Sequence, residues 1–179
     1  LFSLFGELGA EAKAAFDPDG NKTFAEVQAK FNTAWAWAEP ARMTASAFLA
    51  KGEPVYIFQF GYVPASARER SRFGAGHGSD VPFVFNTLHA RWGAPAEATP
   101  DEKELAKMMN TYWVNFARTG NPNGNGVPNW PQYSTSKQEI LDIDLNGKII
   151  SMPDPRKATL DVIEKAFKQR ENIQTRGGI

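Results

Sequence analysis

Residues 55–60, VYIFQF, decide how this chain is read. The run is short, aromatic and β-branched, and its apolar residues do not alternate with polar ones. That is the pattern of a strand covered on both faces in an α/β sheet. Such a strand needs neighbours. Nothing upstream supplies one, and the later strand signals stand at residues 139–152. The strand is therefore expected to belong to a sheet whose other members lie outside the chain.

Upstream of it, the sequence is helical. Thr23 and Glu26 have the spacing of a capping box, and Phe24, Val27, Phe31, Ala34, Trp35 and Ala38 follow helical periodicity. Pro40 either stops this helix or starts the next, which runs through Met43, Ala47 and Phe48 until Gly52 and Pro54. The segment before Asp17 reads as a helix interrupted by Gly6 and Gly9 and ended by the turn cluster DPDGN at 17–21.

Downstream, a Gly-, Ser- and Arg-rich loop (61–80) leads to the apolar run VPFVFNTL (81–88) and a Pro- and Ala-rich stretch. Thr99, Pro100 and Glu102 then form a second capping box, and Leu105, Met108, Met109, Tyr112, Trp113 and Phe116 make one apolar stripe closed by Gly120. Asn-Pro and Asn-Gly pairs punctuate the loop that follows. Leu141, Ile143 and Leu145 alternate up to the turn Asn146-Gly147 before KIISM, a β-hairpin signal. Asp154 and Pro155 open a last helix through Leu160, Ile163 and Phe167, with QTRGGI (174–179) expected to fray as a tail. No repeat and no interdomain linker is visible, and 179 residues fit one domain.

Composition narrows the function classes. Twenty basic and twenty acidic residues cancel, so no global field recruits nucleic acid or an anionic membrane. With 42% hydrophobic and 22% charged residues the chain has an ordinary globular balance. Cysteine is absent, which removes disulfides, thiolate nucleophiles and cysteine-based metal sites. No apolar run approaches the roughly 18 residues of a membrane span. The opening LFSLFGELGA has neither the basic start nor the apolar stretch of a targeting peptide.

Two histidines carry the remaining chemistry. His89 follows an apolar run and precedes Arg91 and Trp92, the setting of a surface or packed histidine. His77 sits in FGAGHGSDVPF, where Gly74, Gly76 and Gly78 free the backbone around one imidazole in a loop downstream of a strand. Open α/β sheets place their sites at such strand ends. Spacing alone leaves two readings open, a flexible glycine loop that happens to carry a histidine and a catalytic imidazole. Neither HExxH nor HxH occurs, so there is no metal signature. Asp17, Asp19 and Asn21 match three ligand positions of an EF-hand loop, but Lys22 and Gln28 replace the required Gly and Glu, which makes a plain turn the better reading. No phosphate-binding glycine motif is present, and no cofactor is expected. No serine, Ser79 included, stands in a GxSxG frame, so the chain cannot complete a serine triad of that form by itself. Tyr112, Trp113 and Phe116 are read as helix core and Trp130 as a packing anchor.

The segments FGAGHGSDVPFVFNTL, MMNTYWVNFARTGNPNG and VPNWPQY together resemble the C-terminal part of a type B carboxylesterase, the cholinesterase and para-nitrobenzyl esterase family of α/β hydrolases, as a bacterial member. The resemblance covers essentially the whole chain and is strongest over residues 55–133. It implies an α/β fold: the C-terminal part of an α/β hydrolase, with helices packed on a mixed sheet plus a terminal β-hairpin. Residues 1–179 would be the C-terminal portion of a single domain, its strand pairing with strands of the absent N-terminal portion and its hairpin extending the other edge.

The resemblance also implies hydrolysis of carboxylic esters by a Ser-Glu-His triad. His77 matches the family's general base, and Asp80 matches an acidic position that supports the site rather than the triad acid. Leu1 and Phe2 resemble residues that line the acyl pocket just after the triad Glu, which places that acid a few residues before Leu1. The segment alone is then expected to be inactive, its partners being the N-terminal portion of the same enzyme and a small-molecule ester. The family's secreted and periplasmic members tilt the compartment that way. Two rivals are a cholinesterase-like binding or adhesion domain without a triad and an autonomous helical domain with a small sheet.

Overall fold

The computed structural model describes residues 1–90 and 97–176, with side chains up to 89 and over 97–170. The chain divides into two compact units, one from residues 1–53 with the segment from 154 onward, the other from residues 54–153.

The first unit is helical. A 3₁₀ turn at Phe2–Leu8 breaks at Gly6, whose φ of 56° is open to glycine, and α1 (Gly9–Phe16) follows. Thr23 caps α2 (Phe24–Thr33) as its spacing predicts: the Glu26 N–H donates to Thr23 Oγ1 at 3.3 Å, and the Glu26 carboxylate accepts the Thr23 N–H at 2.7 Å. Pro40 stands in the first turn of the next helix, one of its two expected places, although no break separates that helix from the one before. The chain passes from α2 through a π turn (Ala34–Ala38) directly into α3 (Glu39–Leu49). A wider turn spares the proline ring the clash an α-helix would force on the carbonyl four residues back.

The last helix, α6 (Lys157–Arg176), belongs to the same unit. Its entry is set by Asp154, whose Oδ1 accepts the Arg156 N–H at 2.8 Å. Gln174, Thr175 and Arg176 lie in the helix rather than in the expected tail, and residues 177–179 lie outside the described residues. Phe5, Phe16, Val27, Leu160 and Ile163 form the core, with the Trp35 ring edge-on to Phe167 at 4.6 Å. Each such side chain contributes about 1.5–3 kcal/mol of burial.

The second unit is built on a sheet. β1 (Phe58–Phe60) runs parallel to β2 (Glu139–Ile143), Phe58 opposite Leu141 and Phe60 opposite Ile143, and β3 (Ile149–Pro153) returns antiparallel. The strand expected to lack a partner within the chain therefore has one, in the hairpin. Its regular pairing is shorter than residues 55–60, although Val55 and Ile57 carbonyls still accept N–H bonds from Tyr133 and Leu141 at 2.8 and 3.0 Å. The order β1-β2-β3 leaves β1 at a sheet edge among the described residues.

One helix, α5 (Pro100–Thr119), covers this sheet. The Thr99 and Glu102 capping box starts it and Gly120, at φ 74°, ends it in the left-handed conformation. Leu105, Ala106, Met109 and Tyr112 are fully buried, and Trp130 closes the side, its Nε1–H donating to the Ile57 carbonyl at 3.0 Å. Phe116 departs from the core reading. It is 47% exposed at the end of the stripe, edge-on to Tyr56. No helix among the described residues is long and apolar enough to cross a membrane.

Candidate active site

The chain leaves β1 at Gly61, where the backbone presses on the hairpin: a β-carbon there would stand 2.9 Å from the Ile143 carbonyl oxygen. Glycine alone fits that approach. Tyr62 follows, its ring 5.5 Å from that of Phe83 and its hydroxyl donating to Glu102 Oε1 at 3.1 Å. Arg68 donates to the Val63 and Leu145 carbonyls, each at 3.3 Å, and to Asn146 Oδ1 at 2.8 Å. The strand exit is thus fixed both to the start of α5 and to the hairpin turn.

The loop then turns at Gly74 (φ 104°) and Gly78 (φ 77°), conformations that glycine adopts without strain. A β-carbon at Gly74, Gly76 or Gly78 would meet no atom within 4 Å, so these glycines shape the backbone and leave open space rather than permitting close packing. For Gly76, neither crowding nor a positive φ explains the residue.

His77 stands exposed between Gly76 and Gly78. Ser79 follows, its Oγ buried without a hydrogen-bond partner among the described residues. Half-buried Asp80 precedes α4 (Val81–Val84). The Asp80 carbonyl accepts the Phe83 and Val84 N–H groups at 2.9 and 3.0 Å, while its side chain makes no capping bond.

The apolar run that the sequence left without an assignment is this single helical turn, stopped by Asn86 at φ 52°. Phe83 buries its ring 5.2 Å from Phe60, and Asn110 Nδ2–H donates to the Val84 carbonyl at 2.9 Å. The histidine loop is therefore held at both ends, by Arg68 and Tyr62 before it and by Phe83 and Asn110 after it. No spacing rule marks these anchors, because Asn110 lies 26 residues from Val84 and Arg68 lies 78 from Asn146.

Along the chain on either side of His77, Phe73, Val81 and Phe85 are exposed, as are Glu69, Arg70 and Arg72. The other site residues anticipated from sequence lie elsewhere. Leu1 and Phe2 belong to the helical unit, where they are half-buried against the cluster of Phe5 and Phe16. His89 is exposed in the 3₁₀ turn Leu88–Ala90. Asp17 caps its own turn, accepting the Asn21 and Lys22 N–H groups at 3.1 Å. Among the described residues no three His, Asp or Glu side chains gather to hold a metal ion.

Burial perturbs ionisation mainly in the helical unit. There the Glu39 carboxyl is pushed up to about 7 by burial, against the pull of Arg42. In the sheet unit burial pushes the Tyr112 phenol up to about 12, and its hydroxyl donates to the Pro128 carbonyl at 2.7 Å.

An exposed imidazole in the loop that follows a parallel strand can exchange a proton with a group presented to it. Solved structures share the fold. The chain superposes on carboxylesterase EST55 of Geobacillus stearothermophilus with a TM-score of 0.67 at 26% identity, over 86% of this chain and 31% of that one. A PNB esterase gives 0.61 at 25% identity over 90% and 31%.

The architecture is that of part of an α/β hydrolase. More narrowly, residues 10–163 match the carboxylesterase family, and the chain belongs to it. It is 40% identical over 111 residues to carboxylesterase 5A of Canis lupus familiaris, spanning 60% of this chain and 19% of that protein. With liver carboxylesterase 1F of Rattus norvegicus the identity is 43% over 94 residues, 51% of this chain and 16% of the relative. The chain thus spans about a fifth of the length of the curated relatives it matches.

Proposed function

We propose that residues 1–179 form the C-terminal portion of a single α/β-hydrolase domain that hydrolyses small carboxylic esters through a Ser-Glu-His triad, with His77 as its general base. The observation that carries this reading is the exposed imidazole on an anchored glycine loop that follows β1, in a member of the carboxylesterase family. Neutral imidazole takes the proton of a serine hydroxyl as that oxygen attacks the ester carbonyl. It then donates the proton to the leaving alcohol, and water repeats the cycle on the acyl-enzyme.

The serine and the triad acid lie outside this chain, so the segment by itself is inactive. The exposed apolar side chains Phe73, Val81 and Phe85 are available to pack against the N-terminal portion. Asp80 supports the turn that carries the histidine.

His77→Ala in the intact enzyme should cut hydrolysis of para-nitrophenyl butyrate by at least about a hundredfold while leaving the melting temperature unchanged. Parental activity in that variant would exclude His77 as the base.

A further inference from the structure

The sequence holds three Asn-Gly pairs, at 123–124, 125–126 and 146–147. Asn-Gly is the dipeptide in which the following backbone nitrogen most readily reaches the asparagine amide, because glycine offers no side chain to block it. Whether it does so in a folded protein depends on whether amide, nitrogen and surrounding space are free.

At Asn123 they are not. Its Oδ1 accepts the Trp130 N–H at 2.7 Å, and its Nδ2 donates to the Trp130 carbonyl at 2.9 Å and to Asn121 Oδ1 at 3.0 Å. A β-carbon on Gly124 would lie 2.8 Å from Asn115 Nδ2. Asn146 is held as well. Its Oδ1 accepts from Arg68 at 2.8 Å, the attacking Gly147 N–H is bonded to the Asp144 carbonyl at 3.0 Å, and Leu105 and Tyr62 crowd Gly147 at 3.2 and 3.3 Å.

Asn125 has none of these restraints. It is exposed, neither its amide nor the Gly126 N–H has a hydrogen-bond partner among the described residues, and Gly126 (φ 84°) has nothing within 4 Å of a β-carbon.

We infer that Asn125 is a site of spontaneous deamidation, selected from the three pairs by the fold. The Gly126 nitrogen attacks Asn125 Cγ, the Cγ–Nδ2 bond breaks, and ammonia leaves with the proton from the Gly126 N–H. The resulting succinimide takes up water and opens to aspartate or isoaspartate, adding one negative charge at a loop tip. The inference is independent of the esterase reading.

The test incubates the native protein at mildly alkaline pH and follows tryptic peptides by fragmentation mass spectrometry. Residues 119–137 carry Asn123 and Asn125, and residues 138–148 carry Asn146. The expected result is conversion at Asn125 at least about tenfold faster than at Asn123 or Asn146, which react only through local opening. In urea all three should convert at similar rates, and Asn125→Gln should abolish the early conversion in native protein. Equal rates at the three sites in the folded protein, or an Asn125 that converts in urea but not when folded, would overturn the assignment.

Discussion

In the helical unit Arg42 lies 7% exposed among three carboxylates, bonded to Glu39, Asp161 and Glu164 at 2.7, 2.6 and 3.1 Å. In the sheet unit His77 stands at the surface among glycines, and Phe73 and Phe85, four and eight residues away along the chain, are exposed as well. The buried cluster displays the stronger electrostatics, yet it is a structural tie between α3 and α6. The exposed histidine carries the proposed chemistry. Perturbed ionisation by itself does not locate an active site, because ion pairs that hold helices together perturb it too. What distinguishes the two regions is access: a catalytic imidazole must be reachable, as exposed His77 is, whereas Arg42 is buried.

This contrast can be broken most forcefully at its buried centres. Arg42→Met leaves Glu39 uncompensated and should destabilise the helical unit by about 3–5 kcal/mol above neutral pH. Trp130→Ala empties the side of the sheet unit and should cost a similar ~3–5 kcal/mol. Urea unfolding followed by circular dichroism measures both, and a loss under about 1 kcal/mol at Arg42 would mean that the cluster behaves as a surface bridge.

A smaller effect follows from Glu39. Its carboxyl binds a proton more tightly in the folded state, with a pKa raised from 4.5 to about 7. The folded protein therefore holds more protons than the unfolded chain across that window, and stability falls as pH rises through it. The change should reach at most about 3 kcal/mol, and Glu39→Gln should flatten it. A stability profile with the same slope in wild type and variant would assign the effect to other groups.

The smallest effect separates two glycines beside the histidine. Gly78→Ala forces a side chain into a left-handed conformation and should cost about 1–2 kcal/mol. Gly76→Ala should stay within about 0.5 kcal/mol, because it meets neither strain nor neighbours. Equal melting temperatures for the two variants would contradict the loop geometry.

Much of the architecture was legible because it is written in local signals. The two capping boxes, the Asn146-Gly147 hairpin turn and the glycine that closes α5 each depend on residues within a few positions of one another. His77 stood out for the same reason, three glycines within two or three residues of it. The sequence hid whatever depends on distant partners. Arg42 finds Asp161 from 119 residues away, and no periodicity announces that meeting. The parallel pairing of β1 with β2 was hidden likewise, so the strand seemed to lack a neighbour in its own chain. Phe116 fits the apolar stripe by spacing, yet it is left exposed, edge-on to Tyr56. The π turn before Pro40 comes from a steric conflict that helical periodicity does not register.

The pairing of Phe58 with Leu141 has a consequence for how the molecule comes into being. As a ribosome delivers the chain, the glycine loop emerges well before the strand that will hold β1, and the hairpin completes the sheet only after α5 has been made. The helical unit waits longer still, since Phe5 and Phe16 meet Leu160 and Ile163 only once α6 appears. Both units depend on contacts between distant parts of the chain, a topology that slows folding and prolongs the exposure of apolar surface. During synthesis Phe5 and Phe16 therefore wait longer for Leu160 and Ile163 than Phe58 waits for Leu141.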